Sequence, residues 1–264
     1  MVKKRTEAVT PPDVVSTLLS NAGNDILVGG QALAYWAQRY RLVIPDHFAS
    51  ISADVDFLTR SSAEWSSVHR YARALDGEVH FPDKRAMTAL VGQAFREISD
   101  EEYLNVDVLW NLVGLSWQQV DDRAATVTMG GVRFRVLHQL DVLKSRLMNL
   151  YKLPDKQNVK GEMQMRLAID VAREFLREEA ALFTDTLASG RSPVQSFVSE
   201  IERLAVEDAG RKIAERHGIH VADAIDPSLI PAGPFWTKRW PTLSEFMSEG
   251  YRARFTPPGD FPAR

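Results

Sequence analysis

The sequence predicts an α+β fold, because strand-type and helix-type segments alternate in its first half and helix-type segments fill the second. Up to about residue 137, runs of branched and aromatic residues such as 26–28 and 103–109 alternate with stretches whose apolar residues recur at helical spacing. After residue 138, helical periodicity continues and strand-forming residues become few. We therefore predict an α/β domain over residues 1–137 and a helical domain over residues 138–264 that packs on it.

The predicted elements follow these patterns in chain order. A helix begins at Pro12, and apolar residues at helical spacing predict two more over 31–41 and 61–75. Strands are expected over 26–28, 51–58 and 103–109, with a hairpin over 126–136. Two more strands are expected within 78–97, around Pro82, and the clearer of them covers 87–91. The segment 43–49, which contains Pro45, is expected to be a loop. In the second domain, helical patterns cover 140–151, 160–181 and 193–217.

The composition excludes several kinds of protein. The 264 residues carry a formal net charge of −3, so no overall positive charge attracts nucleic acid, which argues against a large RNA footprint. The absence of cysteine excludes disulfides and thiolate zinc sites. No apolar run of signal-peptide length follows the basic residues 1–5, and no stretch approaches the roughly 20 apolar residues needed to cross a bilayer. We therefore expect a cytoplasmic protein with no membrane partner.

Two aspartates stand two positions apart in the predicted strand over 51–58. Because strand side chains alternate between faces, Asp54 and Asp56 share one face with Ser52, while the apolar residues between them point to the core. Neighbouring carboxylates repel each other unless a cation lies between them. Mg²⁺ prefers oxygen ligands and is often bound by one or two carboxylates together with substrate phosphates. The pair predicts a magnesium site; the alternative is an edge strand with two solvated aspartates.

A third carboxylate, Asp107, lies in the most apolar strand of the region. Its neighbours at alternate positions, Leu104, Val106 and Val108, share the core face, so Asp107 lies on the opposite face. An isolated carboxylate in such a strand is costly unless it is solvated, paired or bound to metal. If this strand lies beside the strand with the other two aspartates, three carboxylates converge, which suits two metal ions.

Gly29 and Gly30 stand at the turn from the first predicted strand to the next helix. Glycines allow the backbone to approach a phosphate closely, and the helix N-terminus that follows favours an anion. We therefore expect this turn to suit a phosphate-bearing ligand, together with Gln31 at the start of the helix and Ser52 on the aspartate face. The alternative is a plain tight turn.

These three elements, taken in order, resemble the pattern of the nucleotidyltransferase superfamily: a glycine turn after a strand, an Asp-apolar-Asp strand and a later carboxylate. The resemblance covers about residues 12–110. It implies a nucleotidyltransferase-like mixed sheet with flanking helices, of the DNA polymerase beta type. It also implies two Mg²⁺ ions bound by Asp54, Asp56 and Asp107, and an NTP substrate held at the glycine turn.

One departure from that pattern concerns the glycines. Residues 31–53 separate Gly30 from Asp54, which is a longer interval than the family usually has, and the loop over 43–49 resembles an insertion. A longer helix after Gln31 keeps the geometry. If the glycines instead belong to another turn, their assignment fails while that of the aspartates stands.

The second half resembles, over about residues 137–176, the AbiEii-like nucleotidyltransferases, which are bacterial toxins of abortive-infection and toxin–antitoxin systems. The matching features are a Leu-Lys-x-Arg helix and a later helix with Leu-Ala-Ile-Asp. The resemblance implies active-site roles for Lys144 and Asp170. Lys144 would supply a point charge to the triphosphate, and Asp170 would orient that lysine or act as a base toward the acceptor hydroxyl. The alternatives are an ordinary surface lysine and a helix-edge aspartate.

Together the residues predict a Mg²⁺-dependent nucleotidyltransferase that moves NMP from an NTP to a hydroxyl acceptor and releases pyrophosphate. The second resemblance implies an RNA acceptor, such as the 3′ end of tRNA, and an antitoxin protein as partner. Small molecules such as aminoglycosides, and protein side chains, stay open as acceptors. Two other functions stay open as well: a non-catalytic binding scaffold with the same fold, and a metal-dependent nuclease or phosphohydrolase that uses the same carboxylates.

Overall fold

The computed structural model describes residues 5–44, 51–83, 85–184, 193–230 and 233–256 of the chain. It has an α+β fold in which helices flank a mixed β-sheet. The chain divides into two compact units, Met1–Ser145 and Arg146–Arg264, and the division falls inside a helix. Within the described ranges, no helix is both long enough and apolar enough to cross a membrane.

The first unit contains the sheet. Its elements, in chain order, are β1 (Thr6–Glu7), α1 (Pro12–Ser20), β2 (Ile26–Val28), α2 (Gly29–Arg39), β3 (Val55–Leu58), α3 (Trp65–Leu75), β4 (Glu78–His80), β5 (Leu90–Glu97), β6 (Glu102–Leu109), α4 (Trp117–Arg123), β7 (Ala125–Met129), β8 (Val132–Val136) and the start of α5 (Gln139–Lys152).

The second unit is helical in its described part. After the end of α5 it contains α6 (Val159–Thr184), α7 (Pro193–Val206), α8 (Asp208–His217), α9 (Trp240–Leu243) and α10 (Glu249–Arg252). A single π-helical turn over Phe235–Arg239 leads into α9. The indoles of Trp236 and Trp240 are each 7% exposed, and they pack against each other with centroids 5.3 Å apart. These rings therefore belong to the core of the second unit.

Within the described residues, eight strands form one sheet in the order β4-β5-β6-β3-β2-β8-β7, and β1 pairs with the start of β6. The sheet is mixed, because β3 is parallel to β6 and β2 is antiparallel to β3. β2 is also parallel to β8. The end of β2, the start of β3 and the end of β8 therefore lie side by side, at the same end of the sheet along the strand direction. Helices α2 and α5 both begin there.

The position of β3 is fixed by the helix that packs beneath it. Phe57 of β3 stacks on Tyr71 of α3, with ring centroids 4.3 Å apart. The hydroxyl of Tyr71 and the guanidinium of Arg70 both donate to the buried carboxylate of Asp25, at 3.1 and 2.5 Å. Burial, and then the Asp25 carboxylate, raise the pKa of Tyr71 well above its usual value. These contacts tie α3 to the turn that precedes β2.

The start of α5 is held by a buried polar cluster. Asp141, which is fully buried, accepts hydrogen bonds from Gln119 at 2.9 Å and from Arg123 at 3.2 Å. The Nδ1 atom of His138 accepts the backbone N–H of Leu140 at 3.1 Å. Burial, and then the charge of Arg123, lower the pKa of His138 to about 3, so its imidazole is neutral at ordinary pH.

Two strands differ from the sequence prediction. The strand predicted over 51–58 is confined to β3, because the carbonyl of Ala53 accepts from the backbone and side chain of Thr10 rather than from a neighbouring strand. The strand predicted over 87–91 lies instead at Leu90–Glu97, and Met87 is fully exposed. Of the loop predicted over 43–49, residues 45–49 lie outside the described residues.

Candidate metal centre

Asp54, Asp56 and Asp107 come together at one place in the first unit. Each offers a carboxylate oxygen, and these three oxygens lie within 4.8 Å of one another. Asp56 and Asp107 are aligned residues on the parallel strands β3 and β6. Asp54 immediately precedes β3, so it reaches the cluster from a bend and not from the strand that the sequence predicted. All three side chains are half-buried.

Hydrogen bonds within the bend and from Thr10 hold the segment that carries Asp54. The hydroxyl of Ser52 donates to Oδ1 of Asp54 at 2.6 Å. The carbonyl of Ala53 accepts from the backbone N–H of Thr10 at 3.0 Å and from its hydroxyl at 2.9 Å. The segment after β1 therefore holds the first aspartate in place, a contact between distant parts of the chain that no local pattern indicates.

Asp107 is held by two amide side chains. Gln93 of β5 donates through Nε2 to Oδ1 of Asp107 at 2.9 Å, and Asn105 donates through Nδ2 to the same oxygen at 2.8 Å. Sequence reasoning gave neither amide a role. Asn105 stands on the same strand face two positions before Asp107, and that parity could have indicated it. Gln93 was missed because the strand that carries it was predicted too early in the chain.

The glycine turn packs directly against the aspartates. Val28 is the partner of Asp56 in the antiparallel pairing of β2 and β3, and Gly29 follows it with φ of +65°. A Cβ atom on Gly29 would lie 1.8 Å from Oδ2 of Asp56, and one on Gly30 would lie 2.3 Å from the Ser52 side chain. Despite the long interval along the chain, the turn and the aspartates are therefore neighbours.

The two remaining residues assigned to the nucleotide, Gln31 and Ser52, lie at the same place. The Nε2 atom of Gln31 is 3.5 Å from the carbonyl of Ser52, at the limit of a hydrogen bond. Because α2 begins at Gly29, the positive end of its dipole lies beside Asp56. Both the carboxylate and an added phosphate would be stabilised there.

A tyrosine and a fourth carboxylate extend the acidic face. Glu7 of β1 is the aligned partner of Tyr103 at the start of β6. Partial burial, and then the charges of Glu7, Asp107 and Asp54, raise the pKa of Tyr103. The two-residue strand β1 has no recognisable pattern, so the sequence did not indicate Glu7.

The structure gives different surroundings to Lys144 and Asp170. Lys144 is half-buried in the second turn of α5, and within the described part of the chain no hydrogen bond or ion pair involves it. Asp170 belongs to the second unit, where it accepts from Arg173 at 2.6 Å. Arg173 also donates to the carbonyl of Asp223. The active-site roles of Lys144 and Asp170 stay predictions.

The donor set suits a hard divalent cation. Every potential ligand in the cluster is a carboxylate oxygen, the type that Mg²⁺ prefers, and three negative charges this close repel one another unless a cation compensates them. No model of a known protein family matches the chain, and a search of curated proteins finds none that is similar. The chemistry of the site therefore rests on its own geometry.

Proposed function

We propose that the protein is a Mg²⁺-dependent nucleotidyltransferase that transfers NMP from an NTP to a hydroxyl acceptor. One observation carries this proposal: Asp54, Asp56 and Asp107 converge beside a glycine turn that opens a helix. A carboxylate cluster alone suits many metal enzymes. A phosphate-binding turn in contact with that cluster is what a triphosphate substrate requires.

The three aspartates would hold the metal. Asp54 and Asp56 would bind both ions, and Asp107 would bind the ion nearer to the acceptor. When bound, Mg²⁺ ions neutralise the triphosphate and favour the ionised form of the attacking hydroxyl. Ser52 keeps one oxygen of Asp54 in place for this task through its hydrogen bond.

The residues around the aspartates have separate tasks in this proposal. The backbone at Gly29 and Gly30 binds the triphosphate at the N-terminus of α2, with the Gln31 amide beside it. Lys144 places a positive charge on the pyrophosphate as it leaves.

Two classes of acceptor follow from different observations. The likeness of residues 137–176 to AbiEii-like toxins supports RNA, such as the 3′ end of tRNA, with an antitoxin protein as partner. Glu7, by contrast, adds a carboxylate next to Tyr103 on the aspartate face, and the chain has a net charge of −3. Negative charge at the site repels RNA and attracts a cationic acceptor such as an aminoglycoside.

Transfer of label tests this proposal. Radiolabelled NTPs are incubated with the full chain, Mg²⁺ and either mixed tRNA or a set of aminoglycosides. We expect a labelled acceptor and free pyrophosphate, and we expect Asp54→Asn and Asp56→Asn each to lower the rate by about 100-fold or more. Asp100→Asn is the matched control, because Asp100 is an exposed aspartate in the turn before β6.

Three outcomes contradict the proposal in distinguishable ways. Full transfer by both aspartate variants removes the mechanism. Hydrolysis of the substrate without a labelled acceptor favours a nuclease or phosphohydrolase. Failure of calorimetry to detect Mg²⁺-dependent NTP binding favours a non-catalytic scaffold.

A further inference from the structure

Gln93 and Asn105 form a pair of amides that both contact Asp107. We infer that they are positioning residues, which turn Asp107 so that its Oδ2 atom, and not Oδ1, is the metal ligand. This inference rests on the metal site of the proposed function and assigns a role to two side chains beyond the carboxylates themselves.

The strand register places Asp107 between two different neighbours. Across β5 and β6 its aligned partner is Gln93, and across β3 and β6 its aligned partner is Asp56. Adjacent strands are about 4.8 Å apart, so the two partners lie on opposite sides of Asp107. The oxygen that accepts from Gln93 is Oδ1, which therefore lies on the β5 side. On this placement Oδ2 is the oxygen nearer to β3, the strand that carries Asp56.

The second amide acts on the same oxygen from within β6. Asn105 donates to Oδ1 at 2.8 Å, while Gln93 donates to it at 2.9 Å. A carboxylate oxygen has about two lone-pair sites, and two N–H donors occupy both. Oδ1 is thus a poor third ligand for a cation, and rotation of the carboxylate would break both hydrogen bonds at once.

The two amides differ in burial. Asn105 is 5% exposed, whereas Gln93 is half-buried on β5. Buried amides are costly unless they are hydrogen-bonded, so the alternative role for Asn105 is only to satisfy its own polar atoms. A purely structural amide supports the stability of the fold. A positioning amide supports the affinity for the cation, because side chains that orient metal ligands contribute about 10–100-fold in affinity or activity.

The test measures Mn²⁺ binding to the full chain by calorimetry, without nucleotide. The variants are Gln93→Met and Asn105→Leu, which keep approximate size and remove the donors. The matched control is Gln118→Met, because Gln118 makes the same kind of bond, at 2.8 Å to Oδ1 of Asp122, on the surface of α4. Thermal unfolding in a chelator is recorded for each protein.

We expect Gln93→Met to raise the Mn²⁺ dissociation constant about 10-fold, with little change in the unfolding temperature of the metal-free protein. Gln118→Met should leave the dissociation constant unchanged. In transfer assays, Gln93→Met should raise the Mg²⁺ concentration needed for half-maximal rate, while the KM for NTP at saturating Mg²⁺ stays within about two-fold.

The inference is overturned if Gln93→Met binds Mn²⁺ as tightly as the wild type does. It is also overturned if Gln118→Met weakens Mn²⁺ binding to the same extent as Gln93→Met. If Asn105→Leu does not fold, Gln93→Met still decides between the two roles. Absence of Mn²⁺ binding by the wild-type chain overturns the metal site and the proposed function together. Normal Mn²⁺ binding that responds to Gln93→Met, without any nucleotidyl transfer, overturns the proposed function and leaves this inference standing.

Discussion

Gly29 and Asp56 are in such close contact that no side chain can be added between them. A Cβ atom at residue 29 would lie 1.8 Å from Oδ2 of Asp56, and the backbone there has φ of +65°. Glycine is therefore required twice over, by the left-handed backbone and by the carboxylate. The requirement exists before any nucleotide binds.

The Gly29→Ala variant should separate these two requirements. Gly130 has a similar φ of +57° with nothing within 4 Å of an added Cβ, so Gly130→Ala measures the backbone cost alone, about 1–2 kcal/mol. We expect Gly29→Ala to lower the free energy of unfolding by a further ~1–3 kcal/mol, because the methyl group overpacks against Asp56. Denaturant titration of both variants gives the comparison. Equal losses of unfolding free energy in the two variants would show that the close contact with Asp56 does not affect stability.

Removing one charge from the aspartate cluster should stabilise the protein in the absence of metal. Asp54→Asn keeps an oxygen that can accept from Ser52 but removes a negative charge from three that lie within 4.8 Å. Relief of a repulsion of about 1 kcal/mol should raise the unfolding temperature in a chelator by about 2–4 °C. Mg²⁺ should then stabilise the variant less than it stabilises the wild type. A lower unfolding temperature in the chelator would contradict this account, and Asp100→Asn serves as the control.

The free energy of unfolding should decrease as the pH is lowered, because of His138. Its pKa is about 3 in the folded protein, against an ordinary value of 6.5, so only the unfolded chain takes up a proton between these values. The free energy of unfolding should therefore decrease as pH falls below about 6.5, with a contribution approaching 1.4 kcal/mol per pH unit. Chemical denaturation from pH 7.5 to 4.5 measures this slope.

His138→Asn is the variant that tests the histidine slope. The asparagine oxygen can accept the N–H of Leu140 as Nδ1 does, but it does not titrate. We expect a shallower dependence on pH in this variant, whereas His80→Asn, at an exposed position on β4, should retain the wild-type slope. An unchanged slope in His138→Asn would rule out the histidine as its source.

Lys144 should affect transfer more than stability. Within the described residues it forms no hydrogen bond or ion pair, so Lys144→Ala should lower the free energy of unfolding by less than about 1 kcal/mol. If it neutralises the leaving pyrophosphate, the rate of transfer should fall about 10–1,000-fold. Lys152→Ala, at the exposed end of the same helix, provides the control. If Lys144→Ala transfers as fast as this control, Lys144 has no role in the site.

The convergence of Asp56 with Asp107 could be predicted from the sequence, because strand parity is a local property. Apolar neighbours at alternate positions identified the face of Asp107, and the aligned pairing of β3 with β6 brings that residue to Asp56. The hairpin of β7 and β8 was predicted for the same reason, since its turn at Gly130 and Gly131 is local.

The supporting residues could not be predicted, because their contacts depend on strand register between distant segments. Gln93 reaches Asp107 only through the pairing of β5 with β6, and β5 begins later than its apolar pattern suggested. Glu7 reaches Tyr103 through a strand of two residues. The boundary of β3 was also missed, because Thr10 takes the Ala53 carbonyl out of the ladder.

The order of the sheet has a consequence for synthesis of the chain on the ribosome. Asp54 and Asp56 emerge well before Asp107, and β2 receives its second neighbour only when β8 has emerged. Contacts between such distant segments form late, because loop closure costs entropy before any contact repays it. A nascent chain that has not passed residue 107 therefore carries two of the three carboxylates and an incomplete sheet. Any activity of the centre should appear only once the first unit has been fully synthesised.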